Sequence, residues 1–133
     1  MKRREQALLL LRKAAQDETL LDEVLDSDKV SDEVIGFHCQ QGAEKVLKAL
    51  LSDLGVRFRK THELGALMDL LARAGEPLPS EFENLDALTP FGAVYRYDDY
   101  DAEAPLDRRQ ARALLRSLRA WVEDRLRVRP SED

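Results

Sequence analysis

Apolar residues recur at intervals of three and four along most of this chain, and the stretches that keep this rhythm predict helices. Ala7, Leu8, Leu11, Ala14, Ala15, Leu21, Val24 and Leu25 mark a first helix over 3–26. Ser31, followed by Asp32 and Glu33, is a favourable start for a second. A serine hydroxyl satisfies a free amide there, and carboxylates sit well in a first turn. This helix runs to about Leu54, where Gly55 supplies a left-handed terminator. Thr61 marks a third helix over 62–74, ended by Gly75. Ser80 with Glu83 fits a capping box for a short helix over 81–89. Pro105 suits the first turn of a last helix reaching about Arg127. The Tyr- and Asp-rich stretch from Pro90 to Pro105 reads as a connection longer than most, and such loops often carry function.

Composition sharpens this into an all-α reading. Of 133 residues, 44% are hydrophobic, yet Ile occurs only at Ile35 and aromatics make up 6%, a poor supply for a sheet. All five prolines lie beyond residue 76, so nothing in the first half breaks a helix. We expect one domain over residues 1–129, an up-and-down bundle of four to five helices, with 130–133 as a frayed tail. No apolar run approaches the ~20 residues needed to span a membrane. The run Ala7–Leu11 is shorter than a signal-peptide core, which makes cytoplasm the expected location. The lone Cys39 excludes an internal disulfide and a cysteine zinc site. No glycine pattern fits a phosphate loop, and no cofactor or metal is expected. The net charge of −5 disfavours a whole-molecule nucleic-acid binder while leaving room for local patches.

The second helix is two-faced. At ~100° per residue, Ile35, Cys39, Ala43, Val46, Leu47, Leu50 and Leu54 form a core arc. Phe37, Gln41, Lys45 and Lys48 fall opposite, with His38 and Glu44 at the borders. The plain reading of that second face is a solvated surface laced with ion pairs. The order of residues adds to it. The run from Phe37 through Gln41, Gly42, Glu44, Lys45 and Lys48 to Leu51 resembles the signature helix of HEPN domains (higher eukaryotes and prokaryotes nucleotide-binding). Lys60-Thr61-His62-Glu63-Leu64 is similar to the next block of that family, and Tyr95-Arg96-Tyr97 to its Arg-Tyr element. The three blocks stand in family order.

The resemblance implies a helical bundle that dimerises and is often encoded beside a small nucleotidyltransferase, as in toxin–antitoxin modules. It implies a candidate ligand site made of Gln41, Glu44, Lys45, Lys48, His62, Arg96 and Tyr97, with Lys48 and Arg96 holding phosphate and Tyr97 stacking a base or anchoring the loop. Many HEPN proteins are RNases with an Arg-(four to six residues)-His motif. Here Arg96 is followed by Tyr97, Asp98, Asp99, Tyr100, Asp101 and Ala102, so the histidine that would move the 2′-hydroxyl proton is missing. This favours a non-catalytic component that binds nucleotide, RNA or the nucleotidyltransferase partner. The alternatives are an RNase toxin using Arg96 with a displaced histidine, and a structural helical adaptor. Arg57 to His62 meets the spacing by count, at the wrong place in the family order.

Two other features call for weighing. Asp98, Asp99 and Asp101 read as a solvated acidic loop, with no EF-hand pattern around them. On the last helix, Arg108, Arg109, Arg112, Arg116 and Arg119 form a basic stripe within about a third of a turn. Segment 17–33 carries eight carboxylates against Lys29. The stripe is either a phosphate-binding face or the neutralising partner of that acidic segment.

Overall fold

The computed structural model describes residues 2–92 and 106–130. Four helices, α1 (Arg3–Val24), α2 (Asp32–Leu54), α3 (Leu64–Arg73) and α4 (Arg108–Val128), and two 3-10 segments, Ser80–Phe82 and Leu85–Gly92, make an all-α bundle. Among the described residues there is no strand, and no helix is long and apolar enough to cross a membrane.

Helix α2 is the hub, because α1, α3, α4 and the second 3-10 segment all pack on it. Its core arc is buried from Ile35 to Leu50, and Leu54 at its end is half-buried. It begins as expected: Ser31 accepts from the Val34 amide. It ends at Gly55 with φ 72°, where the amides of Val56 and Gly55 reach back to the Leu51 and Ser52 carbonyls. Helices α1 and α2 are antiparallel, as shown by Arg4 near the start of one gripping Asp53 near the end of the other at 2.7 Å. Helix α4 returns along α1 in the opposite sense. Arg108 at its start reaches the Leu25, Ser27 and Val30 carbonyls of the α1–α2 connection.

Four sequence expectations are corrected. Helix α3 starts at Leu64, not at 62, and Thr61 does not cap it. The Thr61 hydroxyl accepts from the Glu63 amide, a local turn that competes with helix. The helix's first amides are instead met from afar, Leu64 by the Thr89 hydroxyl and Gly65 by the Asp86 carboxylate. Ser80 and Glu83 form no capping box, and residues 80–92 wind as 3-10 segments with no helix over 81–89. Pro90, without an amide hydrogen, cannot donate to the Asp86 carbonyl, which favours the tighter form. Residues 90–92, placed in the long connection from sequence, belong to this second segment. Helix α4 begins at Arg108 with Asp107 as its cap, and Pro105 lies outside the described residues.

The second 3-10 segment lies close on α2 because Gly36 has no side chain. A Cβ there would stand 2.2–2.7 Å from the Phe91 ring. The Gly36→Ala variant should therefore be destabilised by about 1–3 kcal/mol through overpacking, despite alanine's better helix propensity. Urea unfolding checks this; a variant as stable as the parent would show that Phe91 yields freely.

Candidate binding site on the second helix

One turn of α2 places Gln40 beside Glu44, and another places Glu44 beside Lys48. Glu44 is 7% exposed and is the centre of a hydrogen-bonded group. Its Oε1 accepts from Gln40 Nε2 at 3.1 Å and from His62 Nδ1 at 2.8 Å, and its Oε2 accepts from Lys48 Nζ at 2.9 Å. Gln40, fully buried, also donates to the His62 carbonyl at 2.9 Å and accepts from Gln41 at 2.7 Å. Gln40 thus fixes the chain entering α3 to the middle of α2. Lys48 also lies 5.7 Å from the centroid of the Phe58 ring, a cation–π contact.

Burial alone would raise the Glu44 carboxyl, but hydrogen bonds from Lys48, His62 and Gln40, with the Lys48 charge, hold it below its ordinary value of 4.5. Glu44 is therefore ionised at neutral pH. An ionised carboxylate only accepts, so His62 Nδ1 is the donor of this hydrogen bond. The His62 side chain is 50% exposed, against 9% for Glu44.

A second group lies on the neighbouring face of α2. Buried Asp17 of α1 accepts from His38 Nδ1 at 2.9 Å and from Lys45 Nζ at 2.6 Å. Lys45, expected beside Glu44, serves Asp17 instead. The structure thus brings Gln41, Glu44, Lys48 and His62 together and separates Lys45 from them. Arg96 and Tyr97 lie outside the described residues, as do Asp98, Asp99 and Asp101. The last described residue before them, Gly92, faces this site: a Cβ there would meet the Gln40 side chain at 2.6–2.9 Å. Gln40 and Asp17 were missed from sequence. The available signal was Gln40 at i−4 from Glu44, on the border of the apolar arc.

Cys39 is buried core, its thiol pushed up to about 12 by that burial. Among the described residues no group of His, Cys, Asp and Glu is arranged to hold a metal ion. The α4 arginines are largely occupied. Arg108 pairs with Asp32, Arg109 with Asp26, Arg112 with Glu18 and Asp22, and Arg119 with Glu18 and Glu123. Arg116 alone of the five remains exposed without an ion pair among the described residues.

The sequence pattern of the HEPN domain matches residues 7–126, which takes in α1 through nearly all of α4. The chain belongs to the HEPN domain family. No curated protein and no solved structure gives a match. Within this HEPN domain, the run that resembles the family's signature helix lies on α2, and the Thr61-His62-Glu63 stretch brings His62 to Glu44.

Proposed function

We propose that this HEPN domain is the non-catalytic binding component of a nucleotidyltransferase-linked module, acting as a homodimer and taking a nucleotide or the partner enzyme against α2. The observation that carries this reading is the Glu44 group. Lys48 and Gln40 of α2 and His62 of the connection into α3 converge there, beside Gly92. Lys48 is charge-balanced by Glu44, so an incoming phosphate would rely on Arg96 more than on Lys48 alone. Calorimetry with adenosine and guanosine nucleotides tests this. Arg96→Ala should weaken binding by about 1–3 kcal/mol, the scale of charge-assisted hydrogen bonds. The absence of nucleotide binding together with failure to capture a small nucleotidyltransferase would reduce the role to a structural adaptor.

The RNase alternative draws support from one observation. His62 is half-exposed and is oriented by a buried carboxylate, as a histidine acting as a base is oriented. We expect purified protein to leave single-stranded and structured RNA intact. Cleavage lost in both Arg96→Ala and His62→Ala would promote the alternative.

A further inference from the structure

The basic surface that the sequence advertises on α4 is mostly neutralised by carboxylates of α1, the α1–α2 connection and the start of α2, whereas a less conspicuous one is not. The connection from α2 to α3 carries Arg57, Arg59 and Lys60, all exposed. None of the three has an ion pair or side-chain hydrogen bond with any described residue. Between them Phe58 is half-buried, packed on the core and under Lys48. In residues 57–63 three such cations face one carboxylate, Glu63, in a chain whose net charge is −5. Like charges held together without a counter-ion raise the local positive potential and attract anions.

We propose that Arg57, Arg59 and Lys60 form a strip that binds the phosphate backbone of a single-stranded nucleic acid. The choice of a nucleic acid over an acidic protein follows from what the strip lacks. Protein interfaces are anchored by apolar or aromatic side chains at their centre. The large exposed hydrophobic residues are Leu8, Leu20, Val34 and Val128, none of them in this connection. The one aromatic present, Phe58, is turned inward. A surface offering charge and guanidinium donors alone fits a repeating phosphate chain. With Phe58 engaged, base stacking contributes little, so binding should be weak, tolerant of sequence and steeply dependent on salt. The strip leads directly into His62, so a bound strand would pass the Glu44 site. The strip is a surface separate from the α2 site and stands independently of it.

Fluorescein-labelled oligouridine and oligothymidine of about 12 nucleotides are the probes, read by anisotropy between about 50 and 200 mM salt. Both should bind, with log K falling against log salt with a slope of roughly −2 for three phosphates. The triple variant Arg57→Ala/Arg59→Ala/Lys60→Ala should lose roughly tenfold or more in affinity at the lower salt, and its slope should flatten. Arg59→Glu alone should produce a partial loss with an unchanged circular dichroism melt. Arg109→Ala/Arg116→Ala on α4 should bind as the parent does. No binding by the parent, a triple variant that binds normally, or loss on the α4 variant would overturn the proposal. Displacement by polyglutamate as effective as by unlabelled strand would also overturn it, in favour of an acidic protein partner. Mononucleotide calorimetry keeps the two readings apart: strand binding without mononucleotide binding refutes the α2 site alone, and the reverse refutes the strip alone.

Discussion

Glu18→Ala is expected to remove about 3–5 kcal/mol of folding stability, a large share of what a domain of this size possesses. Glu18 lies on the inward side of α1 and is 3% exposed. Its Oε1 accepts from Arg112 Nη1 at 2.9 Å and its Oε2 from Arg119 Nε, so one carboxylate serves two guanidiniums about two turns apart on α4. Arg112 is itself buried, at 5% exposure. Its charge is held by the hydrogen bonds it donates to Asp22, against burial, and by Glu18. Removing Glu18 leaves Arg112 with Asp22, which is half-exposed, and Arg119 with Glu123. A buried charge that loses a partner costs far more than a surface pair contributes. The α1–α4 contact is otherwise slight beside α1–α2, so this group also sets the register of α4. Urea unfolding at neutral pH provides the measurement. Arg109→Ala, whose pair with Asp26 is exposed on both sides, should cost no more than about 0.5 kcal/mol in comparison. A Glu18→Ala variant within that same margin would mean that solvent reaches Arg112 and satisfies it.

This pairing also explains which parts of the molecule could be read from sequence. The core arc of α2 and its two ends depend on period and on neighbours one turn away, and Ile35 through Leu50, Ser31 and Gly55 fall where local rules put them. The start of α3 does not, because its amides are satisfied by Asp86 and Thr89, more than twenty positions later. Local capping rules favoured Thr61, which forms a turn instead. The basic stripe on α4 was visible as a stripe, and segment 17–33 as its opposite. That Glu18 would be buried between two arginines depended on the antiparallel packing of α1 against α4. In the site, Glu44 and Lys48 were legible as an i, i+4 pair on one face. His62 came through the family resemblance alone, since nothing in its spacing from α2 requires that it return there. Gln40 was hidden by the habit of assigning a border position to solvent. Its full burial reflects three hydrogen bonds, two of them to residues within a turn and one to the His62 carbonyl.

Glu44→Gln should trade stability for anion affinity, and the pH dependence should show which charge is responsible. The substitution keeps shape and one acceptor but sets an amide NH2 against a neighbouring donor, Lys48 Nζ or His62 Nδ1. An unmatched buried donor and an unpaired Lys48 together cost about 2–3 kcal/mol at neutral pH. The sign with pH follows from the lowered carboxyl. Because the folded-state value lies below the ordinary 4.5, Glu44 contributes stability that is present in full above that value. The contribution is lost as pH falls through the folded-state value. The gap between parent and Glu44→Gln should therefore be wide at pH 7 and narrow as the buffer is taken from about 4.5 downward, where the unfolded carboxyl takes up its proton first and the folded one last. Urea midpoints at a series of pH values give this directly. A gap that stays the same at every pH would show that the stabilisation comes from shape and not from the carboxylate. At pH 7 the same variant leaves Lys48 without its counter-ion, still over the Phe58 ring. If this face takes phosphate, the freed ammonium should strengthen nucleotide binding even as the fold weakens. If Glu44 is instead purely the keystone joining α3 to α2, binding should fall or stay absent while stability drops by the same amount. Opposite movements of melting temperature and affinity would thus separate a ligand site held neutral by its own carboxylate from a structural ion-pair group.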